Sequence, residues 1–195
     1  MSKNEYTKQE IEALLSLSKV NVIEDEPEAQ GNNDLKNYGG ENIRLLALVE
    51  SENYKETRKS YHDPYANKDY DINTFCPLSI AGTKQLQYDH IISLQKIWNR
   101  GGFKWPEEKK IEFVFDLSAG VVTSSAINEG KSDKDLAEFL NSNLAPQIDK
   151  RAFCLSYLVI AVRYEIPLTR AEFNEIESKL TAGKFPVKVI NPLKS

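Results

Sequence analysis

Most apolar positions along the chain follow helical spacing. Ile11, Leu14, Leu15 and Leu17 trail Thr7, with Glu10 three residues after it, so a helix opened by a capping box and ending near Ser18 is expected. Ile43, Leu45, Leu46, Leu48 and Val49 predict a second helix over 41–59 with a basic, aromatic second half. The run LQKIWNRGG, from Leu94, reads as a short helix ending at Gly101. Pro106, Glu107 and Glu108 then suit the first turn of another. Residues 127–140 read as a loop entering a helix capped by Ser132, with Asp135 three residues later. Residues 149–164 are apolar almost all round and predict the most buried helix. In the following helix Thr169 and Glu172 form a second capping box ahead of Phe173, Ile176 and Leu180, and Gly183 ends it.

Three runs break this rhythm and read as strands: Cys76–Ile80, Leu86–Leu94 and Gly120–Ser125. Residues 24–33 and 61–75, rich in Pro, Gly, Asn and Asp, read as loops. The tail from Lys184 reads as a short mobile segment or a single edge strand.

The run Leu86–Leu94 (LQYDHIISL) holds Asp89 and His90 side by side among apolar residues. At a strand end, two adjacent side chains point in different directions and can do two jobs at one site. Asp89 offers carboxylate oxygens to a divalent cation. His90, with an ordinary pKa of about 6.5, can take a proton from water near neutral pH. Taken alone, the stretch fits a surface Asp beside a hydrogen-bonded core His at least as well.

Composition narrows the function classes. With 195 residues, 41% hydrophobic and 28% charged, the chain can build a core. A net charge of -4 excludes non-specific coating of nucleic acid by a global positive field, so any such contact must be local. Cys76 and Cys154 lie too far apart for a metal-ligand spacing, and reduced, buried thiols are expected. No basic-then-apolar leader and no long apolar run is present, so a soluble, cytoplasmic protein with no membrane partner is expected.

The order of candidate groups carries more than any one of them. YDHIISLQKIWNRGGFKW is followed by FVFDLSAGVVTSSAINEGKSDKDLAEFL, which gives Asp-His, a Trp-Gly insert, a second strand and then Asn128-x-x-Lys131. Over about residues 84–180 this resembles the HNH endonuclease family, in particular a bacterial and phage branch with the Asp-His…Asn-x-x-Lys pattern. The resemblance implies an α+β fold: a mainly helical domain around a small ββα-metal core. Its divisions would be a helical and loop extension at 1–80, a nuclease domain at 81–183 and a tail at 184–195.

The resemblance further implies a metal-dependent endonuclease that hydrolyses DNA phosphodiester bonds, DNA being favoured over RNA, in a restriction or phage-related setting. Asp89 and Asn128 would hold Mg2+, with Mn2+ or Zn2+ as alternatives. His90 would be the general base, and Lys131 would meet the same phosphate. Members usually carry a middle Asn that orients the histidine. Here Ala119 stands where it is expected, and Asp116 or Ser118 would have to substitute. A catalytically decayed nucleic-acid-binding or regulatory protein is therefore the competing reading. Taken singly, Asn128 also fits a turn residue, Lys131 a solvated lysine, His62 a loop-surface histidine, and Trp98 and Trp105 plain packing.

Overall fold

A computed structural model describes residues 3–38, 41–58, 60–71 and 86–193. The chain is α+β. Strand β1 (Glu5–Tyr6) leads into α1 (Lys8–Lys19), where Thr7 and Glu10 make the expected capping box. A 3-10 turn over Asp34–Asn37 precedes α2 (Glu41–Glu50). Three short strands follow, β2 (Tyr54–Lys55), β3 (Ser60–Asp63) and β4 (Lys68–Asp71), which pair antiparallel in that order. Next come β5 (Leu86–His90), α3 (Leu94–Asn99), α4 (Glu107–Val114) and β6 (Gly120–Ser124). Helices α5 (Ser125–Lys131), α6 (Leu136–Asn141), α7 (Lys150–Tyr164) and α8 (Arg170–Thr181) lead to β7 (Val187–Lys188).

Strands β5 and β6 pair antiparallel, from Leu86 opposite Ser124 to His90 opposite Gly120. Both faces of this pair are covered. Val121 and Ala119 join the main core around α1, α7 and α8, whereas Leu86 and Val122 join a smaller cluster with Ala47, Tyr61 and Tyr70. Burial on both faces explains why these strands read as apolar runs rather than as alternation. Helix α7 is the most buried, as its composition implies, and α1 and α8 pack against it.

Several boundaries differ from the expectation. The helix expected over 41–59 ends at Glu50, and the chain then turns into β2 and β3. The segment 61–75 was expected as loop, yet β3 and β4 form a hairpin around it, with Asn67 in the left-handed region at the turn. Its Asp and Asn residues mark that turn, while Tyr61 and Tyr70 are cross-strand partners facing the core. The segment 127–131 is not loop but helix α5, capped by Ser124, whose Oγ accepts from Ile127 N. Ser132 ends that helix instead of opening the next, and Asp135 takes the N-cap position of α6.

The tail takes the edge-strand form. Its β7 pairs with β1, and buried Asn191 donates to Leu117 O and Gly120 O while accepting from Ser51 Oγ. Cys154 is a free, buried thiol pushed up to about 12 by burial. Cys76 and the strand expected at 76–80 lie outside the described residues.

Glu172 completes the second capping box, accepting from Thr169 N, and is also a buried ion-pair centre. Its carboxylate takes Arg100 at 2.7 Å, Lys96 at 3.1 Å and the Tyr157 hydroxyl at 2.7 Å. Arg100 reaches on to Glu26 and to Pro167 O, which ties α3 to α7, α8 and the 24–33 segment. Burial by itself would raise the Glu172 carboxyl, but the Arg100 and Lys96 cations override it and hold it down to about 2.

Glu172→Gln is expected to destabilise the protein by about 3–5 kcal/mol at pH 7, because it leaves two buried cations short of their partner. Because folding depresses this pKa, the stabilisation is full above the ordinary carboxylate range and fades as pH falls toward 2. Chemical denaturation of parent and variant at pH 7 and pH 3 should show the gap narrowing in acid.

Candidate functional site

Strand β5 stops at His90 because the chain must turn to bury Ile91 and Ile92 and then begin α3. Ile91 N makes the last rung, to Ala119 O at 2.9 Å, and the Ser93 hydroxyl caps α3 by accepting from Lys96 N. Asp89 and His90 are thus the final two residues of a paired strand. Gly120, opposite His90, has to be glycine: an added Cβ would lie 2.3 Å from the Tyr88 ring and 2.6 Å from Asp89 O. Helix α5 starts directly after β6, at the Leu86 end of the pair, and packs back along both strands, which sets Asn128 beside Gln87 of β5.

The result is a cleft of about 320 Å³ whose walls include Asp89, His90, Asn128, Tyr88, Gln95 and Lys36. The Asn128 amide nitrogen donates to Gln87 Oε1 at 2.7 Å, and its carbonyl oxygen has no hydrogen-bond partner among the described residues.

The His90 imidazole lies between two rings, stacked on Phe113 at 5.5 Å and edge-on to Tyr88 at 5.0 Å. Its Nε2 donates to Val114 O at 3.2 Å. That fixes the tautomer and leaves Nδ1 as the nitrogen with a free lone pair. Burial lowers the His90 pKa to about 4, the Lys131 charge adding to it while the Val114 contact opposes, so the ring is neutral at pH 7.

The Asp89 carboxylate is buried and held at both oxygens. Oδ1 accepts from Lys131 Nζ at 3.1 Å and Oδ2 from the Tyr65 hydroxyl at 3.0 Å. Burial raises its pKa, against the pull of Lys131 and Tyr65.

Asp89, His90 and Asn128 therefore share one cleft, whereas Lys131 does not open onto it. Lys131 is the last residue of α5 and is buried, its ammonium divided between Asp89 and His90 O, at 2.9 Å. A spacing of three residues fixes a helical face and not its depth, and the partial charge at this helix end is negative rather than positive. Asp116 and Ser118 were expected as orienting groups. They instead bond to one another, with Arg163 bound to both and Tyr164 donating to Asp116. The acceptor on His90 is the Val114 backbone carbonyl.

His62 stands on β3, bonded to Asp69 at 2.7 Å. Trp98 is buried, Trp105 packs on the core, and the Trp98 indole donates to Gln30 O.

No family model, curated protein or solved structure matches this chain.

The sequence reading missed three contributors. Lys36 comes from the 3-10 turn at 34–37, whose Leu35 is fully buried. Gln87 shows only as an outward residue of β5. Tyr65 belongs to the β3–β4 turn, and nothing in its local sequence points to residue 89.

Lys131→Met should cost about 3–5 kcal/mol, because Asp89 stays buried with no cation, whereas a solvated lysine would change stability by under about 0.5 kcal/mol. Pairing it with Asp89→Asn should recover much of the loss. A double-mutant cycle by urea denaturation measures the coupling.

Proposed function

We propose that this chain is a divalent-metal-dependent endonuclease of HNH type acting on DNA. The observation that carries the reading is convergence. The Asp-His pair ending β5 and the Asn on the helix after β6, 38 positions beyond His90 in sequence, line a single open cleft. The order strand, strand, helix around that cleft is the arrangement a ββα-metal core requires.

The donor chemistry fits Mg2+. One carboxylate and one free amide oxygen are hard ligands, and Mg2+ favours a few protein oxygens with water and phosphate filling the rest. Among the described residues no group of three or more His, Cys, Asp or Glu could hold a metal, so the shell would depend on those added oxygens. A bound metal would neutralise charge building on the phosphate and the leaving oxygen. His90 accepts the proton of the attacking water at Nδ1, its ring steadied by Val114 O and Phe113. Lys131 keeps the Asp89 charge compensated. Lys36 is the cleft-lining cation that can meet a phosphate, since its side chain has no ion-pair partner among the described residues.

A second reading, a decayed HNH-fold nucleic-acid-binding protein, has one observation in its favour. The Asp89 charge is already neutralised by Lys131 at 3.1 Å. Plasmid nicking with Mg2+ or Mn2+, with and without chelator, separates the two.

His90→Ala should lower cleavage by about 10²-fold or more while DNA binding persists. Cleavage at the parent rate would remove His90 from the mechanism.

Lys36→Ala should weaken DNA binding and reduce the slope of log K against log salt by about one unit. A titration of both proteins between low and moderate salt reads this, with no cleavage required.

A further inference from the structure

The β3–β4 hairpin is anchored from its first strand. Asp63, fully buried, accepts at Oδ2 from Thr123 Oγ1 at 2.8 Å and Ser124 N at 3.2 Å, both on β6. Its other oxygen accepts from Tyr65 N at 2.8 Å and Ala66 N at 3.3 Å, which shapes the turn. Tyr65 is therefore fixed at its backbone by a residue that is itself fixed to the strand beside β5.

Its ring is fixed as well. It is fully buried against Phe139 and Phe153, each 5.6 Å away between centroids. The hydroxyl donates to Asp89 Oδ2 at 3.0 Å. Lys131 holds the other oxygen.

We infer that Tyr65 is a positioning residue for the metal-binding carboxylate of Asp89, so that residues 60–71 form part of the candidate nuclease site. The inference rests on the endonuclease reading above. A carboxylate gripped at one oxygen swings about its side-chain bonds, whereas one gripped at both presents its remaining lone pairs along fixed lines. Partners of this kind, one bond removed from a metal, set affinity or activity by about 10–100-fold.

The test uses the full chain with Tyr65→Phe, which keeps the ring and deletes only the hydroxyl. Calorimetric titration with Mg2+ or Mn2+ alone should show affinity about tenfold or more weaker. Metal should also raise the Tm of the variant less than that of the parent at equal concentration. Nicking should fall at limiting metal and return as metal is raised, with DNA affinity in chelator unchanged.

Thr123→Val is the second variant: it loosens the hairpin anchor and leaves Tyr65 intact, so a smaller loss of metal affinity is expected. Metal titrations of both variants that superimpose on the parent, with only a lowered Tm, would overturn the inference and leave the endonuclease reading standing. A parent protein that binds neither metal and nicks nothing would overturn both.

Discussion

The Asp89 carboxylate is a negative charge with almost no water around it, and much of the structure near the sheet exists to make that tolerable. An ionised group moved alone into a protein interior carries a penalty of several kcal/mol even after relaxation. Here the compensation comes from two separate elements. Lys131 arrives from the end of α5 and Tyr65 from the β3–β4 turn. Neither can arrive by local folding, since they lie 42 and 24 positions from Asp89. The strand that carries the candidate chemistry therefore forms in its final environment only when the hairpin before it and the helix after it are both in place.

The same solution recurs close by, since Lys96 and Tyr157 of a second network line one small cavity with Lys131. Glu172 is buried between Arg100, Lys96 and Tyr157, and Arg100 extends the network to Glu26. Such networks are weak sources of net stability, but each joins particular elements. The Asp89 pair fixes where α5 meets β5. The Glu172 cluster fixes where α3 meets α7 and α8. With α1 packed on α7 and α8, and β1 paired to β7, residues early in the chain are bound to its last ones.

What the sequence made legible follows from how local each signal was. Both capping boxes were readable because their two members are three residues apart. Helix α7 was readable because burial on all sides leaves no polar stripe. The hairpin at 60–71 was not, since its Asp, Asn and Pro residues mark a turn but give no sign of the paired strands around it. Helix α5 was misread because Ser132 looks like an opening cap, while the working cap is Ser124, the last residue of a strand. At the site, the order of Asp89, His90 and Asn128 was enough to expect them together. Tyr65 carries no signal, because a hydrogen bond across 24 positions leaves no local pattern. For Lys131 the residue was visible but its depth was not.

Ala119 shows a further limit of a kind that side-chain patterns always have. Its position was expected to hold a group that orients His90, and Ala offers none. The structure resolves this without a substitute side chain: α4 ends so that Val114 O meets Nε2, and Phe113 supplies the stacking face. A backbone carbonyl has the same acceptor strength whatever residue bears it, so the sequence cannot advertise it. Ala119 is then free to be small, and it must be, since it is fully buried and its own carbonyl receives Ile91 N at the point where β5 ends. The residue that lacks an orienting side chain is thus the one that closes the strand presenting the histidine.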